Sequence, residues 1–123
     1  VPRRTSGRAV RRPVGIFVAD VRVLRLYPDG TVLDVLVKPA PGPGQAAAIA
    51  RWLRPDNPMR GVHRGTYSLR GKRLSFTTRG HLHDGPVTVN GMWRGDELLL
   101  DITDGGRTVK ARRFRRIDSG SLR

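Results

Sequence analysis

Two arginines in one short apolar run, Arg22-Val23-Leu24-Arg25-Leu26-Tyr27, are the residues of this chain whose placement most demands chemistry. An extended backbone sends alternate side chains to opposite faces, so Arg22 shares a face with Leu24 and Leu26, and Arg25 with Val23 and Tyr27. Whichever face becomes interior, one guanidinium points inward. An unpaired charge in a low-dielectric interior is strongly unfavourable. The inward arginine must therefore pair with an acid such as Asp20 or Asp34, reach a rim with its head, or clamp an anionic ligand. In the last case His63 and Tyr67 on a facing strand supply further polar contacts and Trp52 a lid. The candidate ligand-binding set is then Arg22, Arg25, Trp52, His63 and Tyr67.

A second group, His81-Leu82-His83-Asp84, places two imidazoles on one side of an extended segment. Joined by His63 they would make a three-histidine metal site, His63, His81 and His83, of a kind that holds zinc or iron. The spacing permits this without specifying it. Arg79-Gly80 and Asp84-Gly85-Pro86 bracket the pair as a loop tip, where histidine is ordinarily a solvated polar residue, so no metal and no other cofactor is expected. The carboxylates, among them Asp20, Asp29, Asp34, Asp96 and Asp101, fall mostly in turns or at outward strand positions, whereas paired acid and base chemistry needs two facing one cavity. No serine sits in a Gly-x-Ser-x-Gly elbow, and no Gly-x-x-x-x-Gly-Lys phosphate loop occurs. The chain contains no cysteine, which excludes disulfides and thiolate metal sites.

The elements that must position these residues are legible as strands. Arg22–Leu26 and Thr31–Val37 flank Pro28-Asp29-Gly30: proline presets φ, aspartate bonds its own backbone and glycine supplies the positive φ that returns the chain. Ile16–Tyr27 reads as one long bent strand or two short ones, and Thr31–Lys38 as its hairpin partner. Pro39-Ala40-Pro41-Gly42-Pro43-Gly44 breaks the strand. Gln45–Leu53 then shows high helix propensity with Ile49, Trp52 and Leu53 at i, i+3, i+4, predicting one short amphipathic helix that plugs or covers an end of a barrel. Five more strands follow, Val62–Leu69, Leu74–Thr78, Val87–Arg94, Glu97–Asp104 and Thr108–Ile117, joined mostly by glycine turns. Tyr67, Leu69, Leu74, Phe76, Val87, Val89, Trp93, Leu98, Leu100 and Ile102 form one apolar face. Gly65 and Gly91 lie within strands, where they permit sharp curvature or a bulge. An open meander would leave two bare edges, so the first strand should close onto the last. The expectation is an all-β, antiparallel up-and-down barrel of the lipocalin-like type, with 7–8 strands and the helix between strands 2 and 3. It spans residues 14–117, between a basic disordered arm at 1–13 and a flexible tail at 118–123.

The 123 residues have room for one such core. A formal charge of +14 raises nucleic acid as a partner. Most of that charge lies at the ends: residues 1–13 carry five Arg and no acid, and 110–123 carry six basic groups against Asp118 alone. Of the basic residues only Lys38, Lys72 and Lys110 are lysine, a skew that matches GC-rich codon usage. The seven aromatics fall mostly at inward or turn positions rather than interleaving with the arginines as stacking platforms would. No apolar run approaches the roughly 18 residues of a membrane span, and the expected setting is the cytoplasm, with no membrane partner.

Pro13-Val14, Arg22–Leu33 and Gly65-Thr66-Tyr67-Ser68-Leu69 after a helix-bearing insertion resemble the C-terminal β-barrel domain of the F-box only protein nine family, within the broader group of lipocalin-like small barrels. That resemblance implies a barrel with a binding character; in the family the barrel lies downstream of an F-box that recruits a ubiquitin ligase, and this chain contains no F-box. The functional expectation is a non-catalytic binding or interaction module, holding a small apolar or anionic ligand in the barrel or recognising a protein partner. The alternatives are a small barrel enzyme, such as a cyclase or isomerase of an apolar substrate, and a basic accessory protein that contacts nucleic acid through its termini.

Overall fold

The computed structural model describes residues 12–57, 59–81 and 85–118. Eight antiparallel strands run in chain order around a closed barrel: β1 Gly15–Ala19, β2 Arg22–Leu26, β3 Thr31–Leu36, β4 His63–Arg70, β5 Arg73–Arg79, β6 Pro86–Arg94, β7 Glu97–Asp104 and β8 Arg107–Arg116. The long apolar run Ile16–Tyr27 folds as two strands because the chain reverses at Asp20, which takes φ +54°. One helix, α1 (Ala46–Trp52), preceded by a 3₁₀ turn at Pro43–Gln45, therefore falls between strands 3 and 4 and not between 2 and 3.

The β2–β3 turn forms as its residues dictate. Gly30 has φ +98°, the Thr31 N–H donates to the Asp29 carboxylate at 2.8 Å, and the Tyr27 N–H donates to the Thr31 carbonyl at 2.9 Å. Alternation then sorts the side chains. Phe17, Leu24, Leu26, Val32, Tyr67, Leu74, Phe76, Val87, Val89, Leu98, Leu100 and Phe114 fill the barrel interior, all nearly inaccessible to solvent. The interior thus holds side chains in close-packed contact rather than an open lumen.

A second apolar layer lies on the outside. Ile16, Val18, Val23, Leu33 and Val35, the outward residues of β1–β3, pack with Ile49 and Leu53 of the helical segment, and Trp52 and Val62 join the edge. The helix therefore covers a flank of the barrel and plugs neither end. Its seven residues are too few to be stable alone; burial of Ile49 and Leu53 against three strands holds it there. This explains why every residue of β1 is buried, one set facing inward and the other facing the helix.

Closure joins the ends of the meander. Phe17 pairs with Arg116 and Val18 with Arg115, the Ile117 N–H donates to the Ile16 carbonyl at 2.9 Å, and the Ile16 N–H donates to the Asp118 carboxylate at 3.2 Å. Asp118 is consequently buried and belongs to the barrel rather than to a tail. At the other end of the described residues Arg12 packs on the barrel, its guanidinium 5.8 Å from the Tyr67 ring centroid. The remainder of both assigned termini, 1–11 and 119–123, lies outside the described residues.

The two strand glycines sit where neighbouring backbone crowds the inner face. A Cβ on Gly65 would overlap the Thr77 carbonyl, and one on Gly91 would overlap the Leu99 carbonyl and Leu100 Cα, backbone atoms that cannot rotate away. Gly91→Ala should accordingly lower unfolding free energy by about 2 kcal/mol, as overpacking does. Gly44→Ala, where a Cβ meets nothing within 4 Å, should leave it unchanged or slightly raised. Urea titration of the two variants checks the contrast; equal stabilities would remove the crowding explanation.

Candidate functional site

Strand β3 reads Thr-Val-Leu-Asp-Val-Leu, and alternation puts Asp34 on the same inward face as Val32. It is an acid at a core position, with no side-chain exposure at all. It is an exception to carboxylates that lie mostly in turns or outward, and of the acids offered as partners of the inward arginine, Asp20 and Asp34, it is Asp34 that takes the role. Register places Leu24 of β2 on one side of Asp34 and His63 of β4 on the other. Two residues along β2 from Leu24 comes Arg22, on the same inward face. Its guanidinium grips the carboxylate with two bonds, Nε to Oδ1 at 3.1 Å and Nη2 to Oδ2 at 2.7 Å. Of the two sequence-identified arginines, Arg22 is the inward one.

Two further donors complete the carboxylate. The Thr78 hydroxyl of β5 donates to Oδ2 at 2.9 Å, and Nε2 of His81, in the loop after β5, lies 3.1 Å from Oδ1. All four acceptor positions of the aspartate are then occupied. Burial by itself would raise the Asp34 pKa, but the hydrogen bonds from His81 and Arg22, with the charge of Arg22, overcome it and hold the carboxyl below its ordinary range. The group is therefore a carboxylate at neutral pH, and His81 donates to it through Nε2–H.

His63 stacks flat on His81, with ring centroids 4.2 Å apart and planes 7° from parallel. Its Nδ1 is 2.7 Å from the Arg79 carbonyl. A carbonyl only accepts, so Nδ1 carries a proton and donates it there. Among the described residues, His63 Nε2, His81 Nδ1 and Arg22 Nη1 have no hydrogen-bond partner. The cluster thus has a saturated anion beneath and unused polar atoms above. It lies at the barrel end that carries the β1–β2 turn and the β5–β6 loop, which closes through the Gly80 N–H and the Gly85 carbonyl at 2.9 Å.

The other sequence-identified residues lie elsewhere. Tyr67 is inward, but four positions along β4 from His63, roughly 13 Å away at strand rise. Burial raises its phenol pKa against the lowering effect of Arg12, and the hydroxyl donates to the Tyr27 carbonyl at 2.6 Å near the opposite end. Arg25 points outward. Its Nη1 donates to the carbonyls of Ala50 and Leu53 at 2.9 and 2.7 Å, and its guanidinium covers the Tyr27 ring at 4.8 Å. That makes it the cationic stop of the α1 C-terminus, where a positive charge meets the unpaired carbonyls of the last turn. Trp52 lies on the outer flank with the helix and cannot serve as a lid on the barrel.

His63 and His81 do come together, though as a stack and not as ligands converging on one point; His83 lies outside the described residues. Among the described residues no group of three His, Cys, Asp or Glu is arranged to hold a metal ion. The Asp34 contacts with Thr78 and His81 escaped sequence reasoning. The available signal was the acid itself, inward by alternation in a strand that is otherwise apolar. Two clefts open away from this cluster, one of about 310 Å³ among Gly15, Leu26, Tyr27, Pro28 and Asp118, the other of about 400 Å³ between Pro39, Pro41, Ile49 and Trp52.

Comparison with known families, curated proteins and solved structures returns no match to this chain. The resemblance to the F-box only protein nine barrel therefore rests on the quoted residues alone. Among the described residues no helix is long and apolar enough to cross a membrane.

Removing one partner from a buried ion pair leaves the other uncompensated. Asp34→Asn should therefore cost about 3–5 kcal/mol, while the Arg22→Met, Asp34→Leu double variant should cost much less than the sum of the singles. A double-mutant cycle by urea titration reads the coupling; additive losses would mean that the pair is not coupled in the fold. The pH dependence follows from the same carboxylate. Because its folded pKa is depressed, its contribution to stability is fully present above the unfolded value of about 3.9 and is lost as pH falls through the folded pKa. Thermal melts from pH 6 down to pH 2 should show a steeper acid loss in the wild type than in the double variant.

Proposed function

We propose that this chain is a non-catalytic β-barrel binding module that holds the acidic head group of a small apolar ligand at the polar rim of the barrel. One observation carries this reading: Asp34 has all its acceptor positions filled and fixes Arg22, whose Nη1, like one nitrogen each of His63 and His81, has no partner among the described residues. The unused Nη1–H of the held guanidinium suits a carboxylate or phosphate oxygen, and an imidazole beside it that has taken up a second proton adds a further N–H donor. The packed interior leaves the rim as the place for the head group, with the alkyl part lying along the apolar residues beside it. A strongly positive chain also steers anions toward itself. The likeness to the F-box only protein nine barrel points the same way, toward recognition rather than catalysis.

Decanoate and inorganic phosphate, titrated separately into labelled protein, test the reading through the imidazole Cε1–H signals. Decanoate should shift both rim histidines saturably and phosphate alone more weakly. His63→Leu should weaken decanoate about tenfold while the melting temperature holds. Absence of a saturable shift with either probe, or equal affinity in the variant, overturns the proposal.

One contact favours a second reading, a small barrel isomerase or cyclase. A buried carboxylate bonded to one imidazole nitrogen, with the other nitrogen free, is how a general base is oriented, and Asp34 stands in that relation to His81 at 3.1 Å. The free Nδ1 would then remove a proton from carbon while Arg22 stabilises the charge formed. 5-Nitrobenzisoxazole, whose N–O bond breaks when a base takes its C–H proton, reports such a group. Turnover above that of free imidazole at equal concentration, lost in His81→Gln, supports the second reading; turnover no faster than free imidazole dismisses it.

A further inference from the structure

The barrel is closed, but at its seam β8 outruns β1. Strand β8 runs for ten residues and pairs with β7 along nearly its whole length, whereas β1 has only five residues and its register with β8 stops at Val18↔Arg115. From Arg107 to Arg113, β8 has β7 on one side and no described strand on the other. Such an edge presents unpaired backbone donors and acceptors, a template on which another extended segment can add.

The side chains of this edge say what that segment must be. Arg107, Lys110, Arg112 and Arg113 are all exposed, and of these only Arg113 has an ion pair among the described residues, to Glu97 at 3.7 Å. Between them lies Val109, one of the few large hydrophobic residues left uncovered, at 53% exposure. A bulge divides the strand: Ala111 takes φ +54°, the register shifts between Leu100 and Ile102, and the Ala111 N–H is taken by the Asp101 carboxylate at 2.8 Å. The bulge is thus pinned from the β7 side, so its geometry is set before any partner arrives.

We propose that the Arg107–Arg113 edge of β8 is a docking site for an acidic extended peptide segment, which adds as a further antiparallel strand. A second copy of the chain is disfavoured as occupant, because two such edges laid together across a twofold would bring their arginines and lysines face to face. The chain's own first eleven residues carry four Arg and no acid, and have the same sign as the edge. Charges of this kind guard a strand edge against self-pairing, and the same charges select a partner of opposite sign. In the added strand carboxylates would meet Lys110 and Arg112; the bulge, with Leu100↔Arg112 and Ile102↔Val109 in register, sets Val109 on the same face as Arg112.

The test uses an acetylated, amidated Glu-Val repeat hexapeptide and the same peptide N-methylated at alternate residues, which keeps its charge but cannot pair as a strand. Fluorescence anisotropy of the labelled peptides reads affinity, and amide hydrogen exchange reads place. The parent peptide should bind, slow exchange between Thr108 and Arg113, and lose at least tenfold in affinity in the Lys110→Glu, Arg112→Glu variant, which should gain affinity for a Lys-Val hexapeptide. The N-methylated peptide should fail. Equal binding of both peptides without protection of β8 would mean simple charge attraction and overturn the proposal, as would no binding at all. Dimers of the protein alone that protect the same amides would also overturn it, by making a second copy the occupant.

Discussion

Strand β1 is the constraint on which the structure turns. Like β2 and β3 it packs inward against the barrel core, outward against the helical segment and sideways against two flanking strands, but among the described strands it alone is buried at every residue. Five small or apolar residues, Gly15-Ile16-Phe17-Val18-Ala19, meet all of these demands, and none of them is exposed. The Asp118 carboxylate at the Ile16 amide and the Arg116 guanidinium above the Phe17 ring tie the last strand to it. Without that seam the sheet would have two bare edges, and the apolar layer under the helix would lose one of its three supporting strands.

The two arginines of β2 show how one strand disposes of charge on both of its faces. Arg22 goes inward, where water is scarce, and is stabilised by a carboxylate that is itself fully hydrogen-bonded. Arg25 goes outward under the helix and is neutralised by backbone carbonyls, which carry only partial charge, together with an aromatic face. The first solution makes a compact ionic cluster with unused polar atoms. The second makes a clasp that terminates a helix. Only the first leaves polar atoms without a partner among the described residues, which is why we propose the rim and not the flank as the binding site.

Much of this was legible in the residues. The turn chemistry at Pro28-Asp29-Gly30 and the alternation through Leu74, Phe76, Val87, Val89, Leu98 and Leu100 specified the strands, their faces and the need for closure. That one arginine of β2 must point inward, and that Asp34 was a possible partner, followed from a period of two. The position of the helix did not follow, because an amphipathic segment of seven residues can cover an end or a flank equally well. The clue lay in β1 and β3, whose apolar residues occupy both faces and therefore require two cores. His81 meeting Asp34 was beyond local pattern: they are 47 residues apart and joined through a loop whose course the sequence does not encode in any periodicity.

The helix gives the barrel a rind on one flank and none on the other. Outward residues of β1–β3 that meet the helix are large and buried, while the middle of the β4–β6 outer face carries small hydroxyl or amide groups, Thr66, Ser68, Ser75, Thr77, Thr88 and Asn90, with arginines toward the strand ends. A single sheet wrapped into one cylinder thus has a thick wall and a thin wall. Evolutionary drift has very different latitude on the two: the thin wall admits almost any polar exchange, while each change beneath the rind must be matched by another in the helix. A lineage of such barrels would therefore diversify around β4–β6 and stay nearly frozen where the helix lies.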